Sequence, residues 1–130
     1  MYPRSSYIRE KKKIKIKNVV LLQPTSPFRS LKLYYQTCNL FKKNLNSTVT
    51  VSPFNNKKIV NNKGITLKMF MHKSSGLYEI NGNLYIILAK ELIKKKSFFS
   101  KNLNISVTNS KKLSLDIDTI YDLEKAKKFL

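Results

Sequence analysis

Residues 18–30, NVVLLQPTSPFRS, join an apolar run to a short polar loop that contains two prolines. The run at 18–22 is typical of a buried strand, and residues 31–43 place apolar side chains at helical spacing. Pro24 and Pro27 each fix a φ angle, so the loop between strand and helix is expected to be rigid. The stretch therefore predicts a strand, a stiff loop and a helix.

The loop is also a candidate ligand site, because ligands of open α/β sheets bind beyond the carboxyl ends of strands. Gln23 offers an amide, and Thr25 and Ser26 offer hydroxyls, to a polar ligand. The same residues are compatible with an ordinary strand-to-helix turn in which Ser26 or Ser30 caps the helix. Composition leaves both interpretations open.

The rest of the chain alternates between strand and helix patterns. Further strands are predicted at 47–52, 65–71, 83–88, 104–108 and 112–118, and helices at 89–96 and from Thr119 onward. Thr119 and Asp122 have the spacing of a capping box. Asn81-Gly82 is a strong signal for a hairpin turn. Together these elements predict one layered α/β domain over residues 18–130, after a basic segment at 1–17.

The charge of the chain needs an explanation of its own. Among 130 residues, 26 are Lys or Arg and 7 are Asp or Glu, for a formal net charge of +19. An anionic partner would suit that charge. However, the only arginines are Arg4, Arg9 and Arg29, and nucleic-acid recognition favours the planar arginine side chain. A surface rich in lysine and asparagine is what an AT-rich genome encodes, so a nucleic-acid partner is not expected.

Other features restrict the compartment and the metal chemistry. Cys38 is the single cysteine and cannot form an internal disulfide, and no apolar run suits a signal peptide or a membrane span. We therefore expect a cytoplasmic protein without a membrane partner. His72 is the only histidine and has no neighbouring cysteine or histidine in the sequence, which gives little support to a metal role.

The segment LDID contains the second candidate site. Asp116 and Asp118 lie two apart on a predicted strand, which places both carboxylates on the same face. Mg²⁺ uses oxygen ligands of this kind together with the phosphates of a substrate. Alternatively, the pair forms the solvated side of an edge strand and Asp118 caps the last helix.

Four segments carry a resemblance to a known family. VVLLQPTSPFRS, STVTVSP, EINGNLYII and SLDIDTIYDLEKAKKFL occur in the order found in the acylneuraminate cytidylyltransferases, also called CMP-sialic acid synthetases. The chain resembles this family from about residue 18 onward. The resemblance implies a three-layer Rossmann-like nucleotidyltransferase fold. It also implies transfer of CMP from CTP to a nine-carbon acyl sugar, a nonulosonic acid, for cell-surface glycans.

The resemblance also implies roles for individual residues. Asp116 and Asp118 would hold Mg²⁺ and act in catalysis. The substrate-binding residues would be Gln23, Thr25, Ser26, Arg29, Lys57, Asn81, Gly82, Tyr85, Phe98 and Phe99. Of these, Asn81 and Tyr85 would border the acyl-sugar pocket, and Phe98 and Phe99 would pack against the sugar. From the residues alone, Tyr85, Phe98 and Phe99 are equally explained by packing.

Two features depart from the family pattern. Members begin with a loop of the type ARxGSKxxxxKN that binds the CTP phosphates, and these 130 residues contain no such loop. Met71, His72 and Lys73 stand where members carry an RQ-type motif. We therefore expect a C-terminal portion that is inactive by itself, with an inactive remnant, half of a two-chain enzyme or a basic nucleic-acid-binding module as alternatives. The sequence leaves open which nonulosonic acid is used and whether the chain forms the homodimer of its relatives.

Overall fold

The computed structural model describes residues 14–54, 70–73 and 76–130, and for 70–73 the backbone alone. In chain order, the elements are β1 (Asn18–Leu21), α1 (Leu31–Asn44), β2 (Thr48–Pro53), β3 (Phe70–Lys73), β4 (Gly76–Leu88), α2 (Ala89–Lys95), β5 (Asn104–Val107) and α3 (Ile120–Lys127). The predicted α/β class is confirmed. Lys57 and most of the strand predicted at 65–71 lie outside the described residues.

Strand β4 is the centre of the sheet. Strand β2 pairs with it along one edge, and β1 and β3 pair with it along the other, all antiparallel. Strand β1 lies opposite the end of β4, with Leu21 facing Tyr85, and β3 lies opposite its start. Strand β5 extends the sheet by pairing parallel with β2. The sheet is therefore mixed, and the Rossmann-like layering stays a prediction.

Helix α1 covers one face of this sheet. Phe41 packs against Leu84 and Ile86 of β4, and the buried Thr37 hydroxyl donates to Ser106 Oγ of β5 at 2.9 Å. The helix begins after Ser30, whose side chain accepts from the Leu33 amide, as the turn interpretation of the loop predicted. Because α1 starts directly after the loop, its packing fixes where the loop ends.

The opposite face holds a second apolar cluster. Its buried members are Val49, Val51, Tyr85 and Leu103, and Phe98 and Phe99 pack against them. At the end of the chain, the Thr119 hydroxyl accepts from the Asp122 amide and the Asp122 carboxylate accepts from the Thr119 amide, which confirms the predicted capping box. In the described ranges, no helix is long and apolar enough to cross a membrane.

The hairpin turn predicted at Asn81-Gly82 is wrong. Both residues lie inside the continuous strand β4. Val49 pairs with Tyr85 and Val51 with Ile80, so two steps along β2 correspond to five along β4. The extra residues form a bulge in which Gly82 has a φ of +70°. Turns and bulges both use glycine for positive φ, and for that reason the local signal did not distinguish them.

The strand predicted at 112–118 is also wrong. Residues 111–114 form a turn and 115–118 an irregular segment. The Ser114 amide and hydroxyl both donate to the Ser110 carbonyl, at 3.0 and 2.7 Å, which closes the turn. Leu113, Leu115 and Ile117 are half-buried without a strand partner. The alternation of apolar and polar residues therefore reflects packing of a loop against the sheet.

Replacing Phe41 by alanine tests the packing of α1 on the sheet. We expect Phe41→Ala to lower the free energy of unfolding by about 3–5 kcal/mol, because the ring is buried against Leu84 and Ile86. Tyr35→Ala is the matched control, since Tyr35 lies on the same helix with 61% of its surface exposed. Urea unfolding followed by circular dichroism measures both. An equal effect of the two changes would contradict this packing.

Candidate functional site

The side chain of Asn81 joins the β4 bulge to strand β2. Its Oδ1 accepts from Thr50 Oγ1 at 2.7 Å, and its Nδ2 donates to Ser52 Oγ at 3.0 Å. The backbone carbonyl of Asn81 accepts from the buried Ser26 hydroxyl at 2.9 Å. Thr50 Oγ1 also accepts from the Leu84 amide at 2.9 Å. A threonine hydroxyl thus replaces a ladder bond that the bulge removes.

Asn83 makes the corresponding connections on the other side of the bulge. Its Nδ2 donates to the carbonyls of Phe28 at 2.8 Å and Leu113 at 2.9 Å. Its own carbonyl accepts from the Arg29 guanidinium, which also donates to the Gln23 carbonyl at 2.7 Å. One buried asparagine therefore holds both the 23–29 loop and the segment that leads to LDID.

Gly82 permits the closest approach in the site. A Cβ atom at this position would overlap Gln23 Oε1 and lie 3.0 Å from Ser26 Oγ. The Gln23 amide donates to the Gly82 carbonyl at 3.4 Å. The loop consequently lies directly on the bulge, and the amide side chain of Gln23 is placed by the absence of a side chain at residue 82.

The acidic segment lies next to the same loop. The Ile117 amide donates to the Thr25 carbonyl at 2.8 Å, and Ser52 Oγ donates to Ser114 Oγ at 2.7 Å. These bonds hold LDID between the loop and the end of β2. Loop, bulge and acidic segment are far apart in sequence and form one connected site in the fold.

The two aspartates have different surroundings. Asp116 is half-buried, and its Oδ1 is buried with no hydrogen-bond partner. Asp118 is exposed and precedes the capped start of α3. Burial, with the nearby negative charge of Asp116, raises the pKa of the Tyr85 phenol to about 12. The Asp116 carboxylate is therefore close to Tyr85, and its Oδ1 lacks a hydrogen-bond donor.

Tyr85 belongs to an aromatic cluster. Its ring contacts Phe98 and Phe99 edge to face, with centroid separations of 5.6 and 6.2 Å. Tyr85 is buried, while both phenylalanines are half-buried. The cluster packs on the face of the sheet opposite α1. Phe98 and Phe99 are partly exposed there and could contact an apolar group of a ligand.

The structure brings most of the predicted site residues together. Those with exposed or half-buried side chains are Gln23, Thr25, Arg29, Phe98, Phe99, Asp116 and Asp118. Those buried beneath them are Ser26, Asn81, Gly82 and Tyr85. Lys57 is outside the described residues. The buried group makes the internal hydrogen bonds and close contacts that hold the exposed group.

Sequence reasoning missed Thr50, Ser52 and Asn83. Thr48, Thr50 and Ser52 form a polar alternation in STVTVS that would ordinarily indicate a solvated face, yet all three are buried. The two asparagines of NGN, within an otherwise apolar stretch, were the available signal for a buried polar cluster. The hydrogen-bond partners of these asparagines come from three other segments, namely β2, the 23–29 loop and the turn at 111–114. No local pattern in the sequence reveals them.

A polar strand-end loop beside an acidic segment, on a mixed α/β sheet, is compatible with a nucleotidyltransferase. The chain is 32% identical over 124 residues to the CMP-N,N'-diacetyllegionaminic acid synthase of Legionella pneumophila. The match covers 87% of this chain and 53% of that enzyme. No protein-family model matches the chain.

This similarity confirms the resemblance drawn from the motifs. The chain is a homologue of a CMP-nonulosonic acid synthetase. It spans about half the length of that curated relative.

A double substitution tests the contact between loop and bulge. Gly82→Ala should lower the free energy of unfolding through its positive φ, by about 1–2 kcal/mol, and through the clash with Gln23. In a Gln23→Ala background the clash is removed, so we expect the cost of Gly82→Ala to fall by about 1 kcal/mol. Gly76→Ala is the control, since residue 76 has φ +136° and open space. Additive effects of Gly82→Ala and Gln23→Ala would contradict the contact.

A second prediction concerns the Thr50 hydroxyl. Thr50→Val keeps the shape but leaves the Leu84 amide and Asn81 Oδ1 without this partner, so we expect a loss of about 1–3 kcal/mol in unfolding free energy. Thr50→Ser keeps the hydroxyl and should recover most of the loss. Thr25→Val, on the exposed loop, should change stability little. Chemical denaturation measures the unfolding free energy of the three variants. A Thr50→Val protein as stable as the parent would contradict the role of the Thr50 hydroxyl in joining Asn81 to the Leu84 amide.

Proposed function

We propose that this site serves the transfer of a cytidylyl group from CTP to a nonulosonic acid. In that reaction the anomeric hydroxyl oxygen forms a bond to the α-phosphorus of CTP. The bond from that phosphorus to the pyrophosphate oxygen breaks, and the hydroxyl loses its proton. The protein forms no covalent bond to the substrates in this step. Catalysis therefore depends mainly on positioning the two substrates and on stabilising the charge of the phosphate oxygens.

The observation that carries the proposal is the contact between the 23–26 loop and the acidic segment. The bond from the Ile117 amide to the Thr25 carbonyl holds the backbone of the loop against the residue that lies between Asp116 and Asp118. The homologue's name describes a synthase of CMP-N,N'-diacetyllegionaminic acid, which supports a nonulosonic acid as acceptor and CTP as donor. That sugar is therefore the first substrate to test.

Asp116 and Asp118 fit a Mg²⁺ ion whose other ligands come from the substrate. The described residues contain no group of three or more His, Cys, Asp or Glu that could hold a metal by themselves. Asp116 Oδ1, however, is buried without a donor, and an oxygen in that state is costly unless a cation or donor binds it. Mg²⁺ often uses one or two carboxylates plus phosphate oxygens and water. When bound, it would neutralise charge on the CTP phosphates.

The remaining residues divide by their burial. Gln23 and Thr25 would contact the polar groups of the substrates, and Phe98 and Phe99 the apolar acyl groups. Ser26, Asn81 and Gly82 would act by positioning, because their contacts are satisfied inside the protein. In this assignment the buried bulge sets the distance between the amide of Gln23 and the carboxylate of Asp116.

Two further expectations remain part of the proposal. The three-layer Rossmann-like arrangement would be completed in the full enzyme, of which this chain corresponds to about half. Transfer is accordingly proposed for the chain in combination with the other half. The alternative of a nucleic-acid-binding module has the formal charge of +19 in its favour, but the aromatic cluster around Tyr85 is packed against the sheet and offers no stacking platform for bases.

A chimeric enzyme tests the proposal. Residues 18–130 replace the matched part of the Legionella synthase, and the chimera receives CTP, Mg²⁺ and N,N'-diacetyllegionaminic acid. We expect release of pyrophosphate together with the CMP-sugar, and a fall in kcat of about 100-fold for Asp116→Asn. The isolated 130-residue chain is expected to release none under the same conditions.

Glu124→Gln is the matched control, because Glu124 is an exposed carboxylate on α3 that pairs with Lys127 at 2.6 Å. It should leave kcat unchanged. A folded chimera without activity would contradict the proposed reaction. An active chimera that tolerates Asp116→Asn would remove Asp116 from the metal site while leaving the reaction in place.

A further inference from the structure

We propose that Asn81-Gly82 is a latent deamidation site, which the hydrogen bonds around the β4 bulge keep unreactive in the folded protein. Asparagine followed by glycine deamidates readily in a flexible chain, because glycine has no side chain to hinder the attack of its own amide nitrogen. The inference concerns a covalent modification of residue 81 and does not depend on the proposed transfer reaction.

The reaction needs only the chain and water. The backbone nitrogen of Gly82 forms a bond to Cγ of Asn81, and the bond from Cγ to Nδ2 breaks. The side-chain nitrogen leaves as ammonia and takes the proton of the Gly82 amide. Water then adds to one of the two carbonyl carbons of the cyclic imide and opens the ring, which gives aspartate or isoaspartate at residue 81. The attacking nitrogen must therefore reach Cγ, and the leaving nitrogen must be free to depart.

The groups that must move are held by two other segments. The peptide group that contains the Gly82 nitrogen also contains the Asn81 carbonyl, which accepts from the buried Ser26 hydroxyl at 2.9 Å. The leaving nitrogen, Asn81 Nδ2, donates to Ser52 Oγ at 3.0 Å. Asn81 has only 3% of its surface exposed, which limits the access of water. Rotation of the peptide group toward Cγ would therefore break bonds to the loop and to β2 inside a buried site.

The donors to Asn81 Oδ1 have an opposing effect. Thr50 Oγ1 and the Asn83 amide donate to this oxygen at 2.7 and 3.1 Å, and negative charge would develop there during attack at Cγ. Donors aimed at a developing oxyanion accelerate a reaction when the nucleophile can reach the carbon. Here the bond from Ser26 fixes the peptide group of the nucleophile, so we infer that restraint outweighs polarisation.

The products of deamidation would not fit the bulge. Aspartate at residue 81 lacks the Nδ2 hydrogens that Ser52 Oγ accepts, and it adds a negative charge to a buried network. Isoaspartate also adds a methylene group to the backbone of β4, beside its pairing with β2. Deamidation in an opened chain would therefore disrupt the bulge irreversibly.

Peptide mass spectrometry of the full 130-residue chain tests the inference. The chain is incubated at mildly alkaline pH in buffer and in concentrated urea, digested at low pH, and analysed for conversion of Asn81 and Asn109. Asn109 is the internal reference, because it is exposed and is followed by a small residue, Ser110. We expect Asn81 to react more slowly than Asn109 in buffer and faster in urea, since a protected site reacts from its opened state. An equal ratio of the two rates in buffer and in urea would overturn the inference.

Two variants test whether the hydrogen bonds provide the protection. Ser52→Ala and Thr50→Val each remove one partner of the Asn81 side chain. Each should raise the conversion of Asn81 in buffer, relative to Asn109, by about tenfold, because the lost bond increases the population of the opened site. Slower conversion in Thr50→Val would show that its hydroxyl activates the amide, which is the opposite of the inference.

Ser47→Ala is the matched control for Ser52→Ala. Ser47 is also a buried serine, but it lies at the other end of β2, and its hydroxyl donates to the Phe98 carbonyl. It should leave the ratio of the two conversions unchanged in buffer. Equal acceleration by Ser47→Ala and Ser52→Ala would show that global unfolding, and not the bonds of Asn81, controls the reaction, and would overturn the inference.

Discussion

The buried hydrogen bonds of the Asn81–Gly82–Asn83 bulge are the constraint on which the site depends. An unsatisfied buried amide is costly, so each asparagine requires its partners in other segments to stay where they are. Asn81 links β2 and the loop, and Asn83 links the loop and the turn before LDID. The network therefore stabilises one arrangement of three segments that could otherwise move independently.

The position of the bulge explains why the loop lies where it does. Strands β1 and β3 both pair with the same edge of β4 and leave its middle open, and the 23–26 loop occupies that space. Gly82 brings the loop close, and Pro24 and Pro27 limit its conformations. The buried polar segment Asn81–Asn83 of β4 is thus matched by the polar 23–26 loop that lies on it.

The described part of the chain combines a buried polar network with one unpaired oxygen. Asn81 and Asn83 have hydrogen-bond partners in other segments, whereas Asp116 Oδ1 is buried without one. The network therefore fixes the segments around Asp116 and leaves this oxygen unsatisfied.

Local patterns in the sequence determined most of the elements. Periodicity identified β1, α1, β2, α2, β5 and α3 to within a few residues, and the spacing of Thr119 and Asp122 identified the capping box, because these depend on neighbours along the chain. Motif order identified the relationship to the synthetases.

Only the tertiary structure decided the role of NGN, the irregular path of LDID and the difference between Asp116 and Asp118. A positive φ at Gly82 serves a turn or a bulge equally well, and the choice came from the pairing of β4 with β2 on both sides of it. Whether a polar side chain is buried, and with which donor, depends on segments 30 to 60 residues away, as with Asn83 and the carbonyls of Leu113 and Phe28. No local pattern contains that information, since hydrogen-bond partners are chosen by folding of the whole sheet.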